Sequence, residues 1–416
     1  MKTRILAAML VLPLAISTAY AQEVSDGPTV KISGFGTGAL TATNTDDAEF
    51  ARANQASGAR KDARTGVDSN LGLQADITIN SWLSLTGQGL VRKDAVDEYG
   101  AEATLAFAKA KVTDELSVRV GRLGSPIFLI SEYRNVGYAN TFIRPPQEMY
   151  SQVPFNGTDG IDAIWQHGFG PTSVTAQLSF GTNKNDIVGG QSMRLKKLTS
   201  VNLVAEYGPF TARLGHTQGR ATLDGSPTLE GLYTSLRAAG TGYRLPVLNQ
   251  LASDLELKDK KASFTSLGLA VDWNNFIGQS EFAKRRTDGF LADTTSWYVM
   301  GGYRIGKFTP YYTHAKVSID SNVTNTVPGA CPAGYPAACR ATLAALSAGV
   351  NSMRTSGGGE QSTNSIGLRW DVYRSVDLKV QIDRVSPKNG RGLLINATPG
   401  FSRDITVGTV AVDFIF

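Results

Sequence analysis

Residues 70–79 read NLGLQADITI, an alternation of apolar residues with small or polar ones. Every odd position from 71 to 79 is apolar, and every even position from 72 to 78 is small or polar. A period of two residues places the two sets on opposite faces of a β-strand, whereas a helix would mix them. The segment is therefore predicted to be a strand with one lipid-facing row and one lumen-facing row.

The same alternation recurs along the chain, for example at residues 174–180, 201–207 and 366–372. About sixteen such segments follow Val30, separated by breaks that alternate between short turns and long polar stretches, as in bacterial membrane barrels. The long breaks lie near residues 44–66, 124–158, 183–198, 219–261 and 322–360. The sequence predicts an all-β fold, a transmembrane antiparallel β-barrel of about sixteen strands.

A soluble β-sandwich or propeller is the alternative for any regular series of strands. Aromatic residues near the predicted strand ends favour the membrane barrel, because such barrels carry aromatic girdles at both interfaces. These residues are Trp82, Trp165, Tyr207, Trp273, Trp297 and Tyr373.

The N-terminal residues have the order of a secretory signal. Lys2 and Arg4 precede an apolar run from Ile5 to Ile16, and Ala19-Tyr20-Ala21 provides small residues for cleavage. The run is shorter than the ~20 residues that a membrane helix needs. We expect residues 1–21 to be a signal peptide cleaved after Ala21 and residues 22–416 to form the barrel.

Composition excludes several other classes of function. The net charge is +5, of which Lys2 and Arg4 contribute two, and the remainder is dispersed, so no nucleic-acid partner is expected. His167, His216 and His314 show no metal-ligand spacing, and no Gly-x-Ser-x-Gly elbow is present, so we expect no catalytic residue, metal or cofactor.

The two cysteines lie in one Gly/Pro/Ala-rich stretch. In an exported chain Cys331 and Cys339 can form a small local disulfide, and the alternative is a pair of free thiols.

Two short motifs resemble a known family. Residues 404–416 end in Phe416, with Val410, Val412 and Phe414 in the same parity, and resemble the C-terminal signature by which the barrel-assembly machinery recognises outer-membrane barrels. The segment Arg119-Val120-Gly121-Arg122-Leu123 closes the fifth predicted strand and resembles the trimeric general and neisserial-type porins of Gram-negative bacteria.

The porin resemblance has several implications. It implies a homotrimer in outer-membrane lipid, a third loop folded into the barrel from about Ser125 to Phe155, and passive diffusion of small hydrophilic solutes and ions. It also implies a constriction at which acidic groups of the loop face basic groups of the wall. Arg119 and Arg122 cannot both point inward without a bulge. The residues expected at the constriction are Arg92, Arg119, Arg122, Glu132, Arg134, Arg144 and Glu148.

Strand parity also predicts basic lumen residues away from the loop, namely Arg213, Arg304, Arg369 and Lys379. Basic rings favour anions, so we expect a mild anion preference, although charges solvated in a wide channel would give little selectivity.

Two rival functions stay open at this stage. One is a channel selective for an organic anion, lined by Tyr133, Tyr138, Phe142, Tyr150 and nearby arginines. The other is an outer-membrane barrel enzyme or adhesin.

Overall fold

The computed structural model describes residues 28–155, 157–335 and 337–416. Within these residues sixteen antiparallel strands follow one another in chain order, and β16 pairs with β1 to close the barrel. This confirms the predicted fold class. The predicted signal peptide, residues 1–21, lies outside the described residues. The strands are β1 (Thr29–Thr43), β2 (Asn70–Thr78), β3 (Leu83–Lys93), β4 (Tyr99–Lys111), β5 (Leu116–Gly124), β6 (Gly157–Phe169), β7 (Thr172–Ile187), β8 (Gln191–Tyr207), β9 (Phe210–Asp224), β10 (Lys260–Trp273), β11 (Phe276–Thr287), β12 (Asp293–Tyr303), β13 (Phe308–Ser321), β14 (Glu360–Tyr373), β15 (Val376–Lys388) and β16 (Ile405–Ile415).

The two-residue period separates an apolar exterior from a polar interior. On β2, Leu71 and Leu73 are exposed on the outside. The even positions of β2 face inward. There the side-chain amide of Gln74 donates to the carboxylate of Asp76 at 2.8 Å. Asp76 also accepts a hydrogen bond of 2.7 Å from Thr86 on β3. The predicted parity of residues 71–79 is thus the parity of the wall.

The seam between β1 and β16 joins the two ends of the barrel. Their register runs from Phe35 opposite Ile415 to Thr43 opposite Val407. Glycines on the outer face of β1 leave room for the last aromatic rings, because a Cβ on Gly36 would lie only 2.4 Å from the ring of Phe414. The rings cover the backbone of the β1 glycines, which would otherwise be exposed on the outer face.

Turns and loops segregate to opposite rims. The turns after β2, β4, β6, β8, β10, β12 and β14 contain two to four residues and define the short-turn rim. The long loops lie at the other end, the long-loop rim, and are L1 (44–69), L3 (125–156), L5 (225–259), L7 (322–359) and L8 (389–404).

The predicted long break at residues 183–198 is wrong. Asn183–Ile187 of β7 pair with Gln191–Leu195 of β8, so both strands continue to a three-residue turn. These residues look like a loop in sequence because Asn183, Lys184 and Asn185 interrupt the apolar alternation, and a hairpin that projects beyond the apolar band has no lipid-facing row to maintain.

Helices occur only in the long loops of the described chain. They are α1 (Gln147–Tyr150) in L3, α2 (Pro227–Gly242) and α3 (Pro246–Leu255) in L5, and α4 (Ala337–Ser356) in L7. Leu236, Leu248 and Val350 from the last three helices bury into one cluster that also contains Phe128 of L3. L5 and L7 therefore cover part of the barrel mouth. No helix of the described residues is both long and apolar enough to cross a membrane.

A disulfide joins Cys331 to Cys339, whose Cα atoms are 6.2 Å apart. It closes a short loop onto the first turn of α4, where Cys339 is fully buried.

Close backbone packing leaves no room for a side chain at one glycine of β6. A Cβ on Gly160 would lie 2.0 Å from the carbonyl oxygen of Phe180, whereas a Cβ on Gly168 of the same strand would meet nothing within 4 Å. We expect Gly160→Ala to destabilise the folded barrel by about 1–3 kcal/mol, because a backbone oxygen cannot move aside as a side chain can. Thermal unfolding followed by circular dichroism measures this change. Gly168→Ala is the matched control, and an equal loss of stability in both variants would contradict the prediction.

Candidate functional site

Loop L3 folds into the barrel, as the sequence motifs predict, and crosses the lumen. Its first residues lie against β9, β10 and β11. Ser266 donates to the carbonyl oxygen of Ile127 at 2.9 Å, and the amide of Leu129 donates to the carboxylate of Glu281 at 2.8 Å. Arg213 donates to the carbonyl oxygen of Pro126.

The middle of L3 reaches the opposite wall. Lys379 donates to the carbonyl oxygens of Gly137 and Asn140 at 2.8 and 2.7 Å, and it also contacts Asp413 at 2.8 Å. Arg369 donates to the carbonyl oxygens of Tyr138 and Asn140 at 2.8 and 3.0 Å. Two basic side chains of the wall therefore hold one short turn of the loop.

The strongest attachment of L3 is the ion-pair cluster of Arg144. Its guanidinium binds Asp68 through two nitrogens at 2.9 and 2.6 Å and Asp383 at 2.7 Å. All three side chains are almost completely buried. Burial raises the pKa of Asp68, but attraction to Arg144 and the hydrogen bonds from it outweigh this effect, so the pKa lies below its ordinary value. A carboxylate with a lowered pKa stabilises the folded state above its unfolded pKa of about 3.9, and this contribution is lost as pH falls through the lowered value.

The loop returns through α1. Glu148 accepts hydrogen bonds from Gln361 at 2.8 Å and from Thr363, both on β14. Tyr150 donates to Glu281, which also accepts from Tyr298 at 2.9 Å. L3 is thus held to the wall on both passes across the lumen.

These contacts change the roles of five residues expected to line the pore. Arg213, Arg369 and Lys379 point inward, as parity predicts, but they bind L3 and are largely or fully buried. Arg144 and Glu148 turn away from the open lumen toward the wall. Sequence parity identifies the inward face and cannot reveal that the loop covers it.

Arg304 is also displaced from its expected place. It follows the last residue of β12 at the short-turn rim and pairs with Asp272 at 2.6 Å, with 40% of its side chain exposed. It lies at the mouth of the barrel and not inside it.

Arg119 and Arg122 lie on opposite faces of β5, the first inside the barrel and the second outside. Arg119 points inward, pairs with the buried Asp162 at 2.6 Å and lies 3.7 Å from Glu132 of L3. Arg122 stands opposite Asp159, in the same parity as the exposed pair of Val120 and Ile161, and binds Asp159 at 2.7 Å. Arg122 is therefore on the exterior and its expected role at the constriction is wrong.

Basic side chains line a cavity between L1, β3 and L3. Arg52 of L1, Arg92 of β3 and Arg134 of L3 line one cavity, together with Gln147 and Tyr150. Arg92 pairs with Glu102 at 2.9 Å, and Arg134 donates to the carbonyl oxygen of Phe155 at 2.7 Å. The guanidinium of Arg52 makes no hydrogen bond or ion pair with another described residue. We call these three residues the arginine cluster.

The arginines of the cluster repel one another. Burial, with repulsion from Arg92 and Arg144, lowers the pKa of Arg52 to about 10. Burial, with repulsion from Arg92 and Arg52, lowers the pKa of Arg134 to about 9. Both remain charged at neutral pH, so the cavity carries excess positive charge. Arg52 was not predicted from the sequence, because L1 has no two-residue period that would assign its side chain to the lumen.

The proposed aromatic track is only partly exposed to the lumen. Phe142 is buried, Tyr150 is bound to Glu281, and Tyr138 donates to the carbonyl oxygen of Arg374. Tyr133 is the member with a substantially exposed side chain, 41%.

Solved outer-membrane structures share this architecture. The chain is similar to OmpT of Vibrio cholerae in its trimer form (13% identity, TM-score 0.54, covering 94% of this chain and 100% of that one). It is also similar to the outer membrane channel DcaP of Acinetobacter baumannii (10%, 0.54, covering 96% and 100%) and to the anion-selective porin from Comamonas acidovorans (13%, 0.54, covering 94% and 100%). No protein-family model and no curated protein matches the sequence. The chain therefore has the fold of the outer-membrane porins.

Removing Arg144 tests whether its ion pairs hold L3. Arg144→Ala leaves Asp68 and Asp383 buried without a cation, a change that costs about 3–5 kcal/mol, so we expect L3 to detach. Limited proteolysis should then cut within residues 125–155, and single-channel current should become larger and noisier.

Two variants control for this experiment. Arg122→Ala removes an exterior ion pair and should leave the loop protected. Adding Asp68→Asn and Asp383→Asn to Arg144→Ala removes the unpaired charges and should restore part of the lost thermal stability. Full protection of L3 in Arg144→Ala would refute the anchoring role.

Proposed function

We propose that the protein is an outer-membrane channel for passive diffusion of small hydrophilic solutes and ions, with a mild preference for anions. The observation that carries this proposal is a closed sixteen-stranded wall with an apolar outside, a polar inside and a loop that narrows the lumen. Such a wall suits a bilayer, because closure of the barrel leaves no unpaired strand edge. Diffusion through it requires no bond chemistry.

The location follows from the same features. Exposed aromatics gather toward the short-turn rim, including Tyr207, Trp273, Tyr303 and Tyr373. Aromatic girdles of this kind lie at membrane interfaces, and short turns face the periplasm in outer-membrane barrels. In this orientation the long-loop rim faces outside the cell, and Phe416 is available at the periplasmic side to the assembly machinery.

The arginine cluster supports the preference for anions. Among the described residues Arg52 and Arg134 pair with no carboxylate, and Asp68, whose charge acts on Arg52, is already bound to Arg144. Fixed positive charge beside a narrow aqueous path raises the local concentration of anions. One protein of the same fold is named as an anion-selective porin.

Selective passage of an organic anion is the second candidate, favoured by the same cluster. Guanidinium groups bind carboxylates through two parallel hydrogen bonds, and Arg52 has its donors free of described partners. Added citrate should reduce the single-channel current, and a reduction that saturates as the citrate concentration rises would support this candidate. A reduction that stays linear in citrate concentration would support simple diffusion instead.

The ionic preference can be tested at Arg52. In planar bilayers under a KCl gradient, Arg52→Gln should shift the reversal potential toward that of a cation-preferring pore, lowering the chloride-to-potassium permeability ratio about twofold. Arg122→Gln is the control, because Arg122 lies outside the lumen and the potential should not move. An unchanged potential in Arg52→Gln would end the anion argument, whereas absence of any conductance in the wild type would end the channel proposal.

A homotrimer is proposed from the exterior of β3 to β6. Small residues let walls approach closely, and the exposed Arg122–Asp159 pair beside them would otherwise face hydrocarbon, where charges are costly. One structure of the same fold is named in its trimer form. The small exterior residues are Gly87, Gly89, Ala101, Ala103, Ala106 and Ala108.

A large side chain on this face should separate the copies. We expect Ala106→Trp to shift the detergent-solubilised protein from trimer to monomer in size-exclusion chromatography with light scattering. Ala212→Trp, on the exterior of β9, should leave the mass unchanged. A trimer that survives Ala106→Trp would place the interface elsewhere.

A further inference from the structure

Three like charges stand side by side on the outer face of the barrel near the long-loop rim. In the strand register Arg220 of β9 is opposite Lys196 of β8 and opposite Lys261 of β10. Their ladder neighbours Leu195 and Ala221 are buried inside, so the three basic side chains point outward. Like charges directly opposite each other destabilise an antiparallel pair. We call Lys196, Arg220 and Lys261 the basic row.

The charges near the basic row only partly compensate it. Arg220 donates to the carbonyl oxygen of Asp259 at 2.8 Å, and its guanidinium lies 3.6 Å from the largely exposed carboxylate of the same residue. Exposed pairs of this kind contribute little. Arg220 and Lys261 line an open cleft of about 540 Å³ that also contains Lys197 and Arg286.

Acidic residues only partly neutralise this cleft. Asp288 and Asp293 also line it, against the four basic residues. Arg286 is engaged with Asp320 at 2.7 Å and lies 3.8 Å from Asp293. Lys196 and Lys261 make no ion pair with another described residue, so the basic row keeps its excess positive charge.

Below the cleft a row that contains His216, Thr265 and Lys284 comes first, and below that row the exterior becomes apolar. One ladder row contains Leu203, Leu214, Leu267 and Phe282, each exposed by 43–54%. On β10 the apolar stretch ends at Trp273, twelve residues from Lys261, which is about 40 Å along the strand and about 30 Å along the membrane normal at a tilt of about 40°. The basic row therefore lies at the level of the outer headgroups when the aromatic girdle lies at the inner interface.

We propose that the cleft, together with Lys196 of the basic row beside it, binds the phosphorylated headgroup of a glycolipid of the outer leaflet, whose acyl chains lie on the apolar wall below. The inference rests on the proposed function in one respect, that the strands span the membrane. A cationic cleft above an apolar wall on the same strands matches an amphiphile and not a soluble anion, because a soluble anion would use only the cleft. The ligand also removes the repulsion within the basic row.

The test measures lipid binding to the refolded full-length barrel in detergent by native mass spectrometry and by thermal unfolding. The probes are bisphosphorylated lipid A, the same acylated disaccharide without phosphates, and inorganic phosphate. Lipid A should bind and raise the unfolding temperature, and the other two should not. In Lys196→Gln/Lys261→Gln the affinity for lipid A should fall about thirtyfold, since each basic residue near an anionic lipid surface contributes about 1 kcal/mol.

The lipid-free behaviour of the same variant separates binding from structure. Loss of repulsion should leave its lipid-free unfolding temperature equal to or above that of the wild type. Lys111→Gln/Lys307→Gln, at the short-turn rim, is the matched control and should bind lipid A as the wild type does. Unchanged affinity in Lys196→Gln/Lys261→Gln, or equal stabilisation by inorganic phosphate, would overturn the proposal.

Conductance of the same preparations distinguishes the two proposals. A conducting barrel without phosphate-dependent lipid binding would refute the lipid site and leave the channel intact. A barrel that binds lipid A but does not conduct would refute the channel and leave the lipid site.

Discussion

Pairing of β1 with β16 is the constraint on which the rest of the structure depends. An open sheet would leave two rows of backbone amides and carbonyls without partners, and hydrocarbon offers none. Closure removes both edges, fixes an even number of strands and forces each strand to present one face to lipid and the other to water. The alternation of residues 71–79 and the segregation of short and long connections are consequences of that closure.

Buried charged side chains inside the barrel are the second feature on which the structure depends. Lys379, Arg369 and Arg144 are held between the wall and L3, where each is paired with carboxylates or carbonyl oxygens. An isolated charge in such a place would be costly, so each one specifies a single position for the loop. In the arginine cluster, Arg52 and Arg134 carry positive charge that no carboxylate of the described residues pairs with.

The wall was predictable from sequence, and the lumen was predictable only in part. Strand number, order and parity follow from the local alternation, because closure requires every strand to present one face to lipid and the other to the lumen. The infolded third loop follows from the short motifs. The motif around Gly121 left two registers possible, and the outward position of Arg122 is set by Asp159, a partner 37 residues away. Arg213 and Lys379 face inward as expected, yet the loop that covers them is distant in sequence. Arg52 lies in L1, where no periodicity gives direction to a side chain.

The seam also has a consequence for biosynthesis. Thr43 and Val407 are neighbours in the finished wall although almost the whole chain lies between them, so the two strands with the greatest separation in sequence must meet to complete the cylinder. Contacts of this separation form slowly, because the chain must lose the conformational freedom of the intervening loop first. Until the last eleven-residue strand arrives, β1 exposes an unpaired edge, the kind of surface on which chains aggregate. A polypeptide with this topology needs protection from aggregation from its synthesis on the ribosome until β1 and β16 pair.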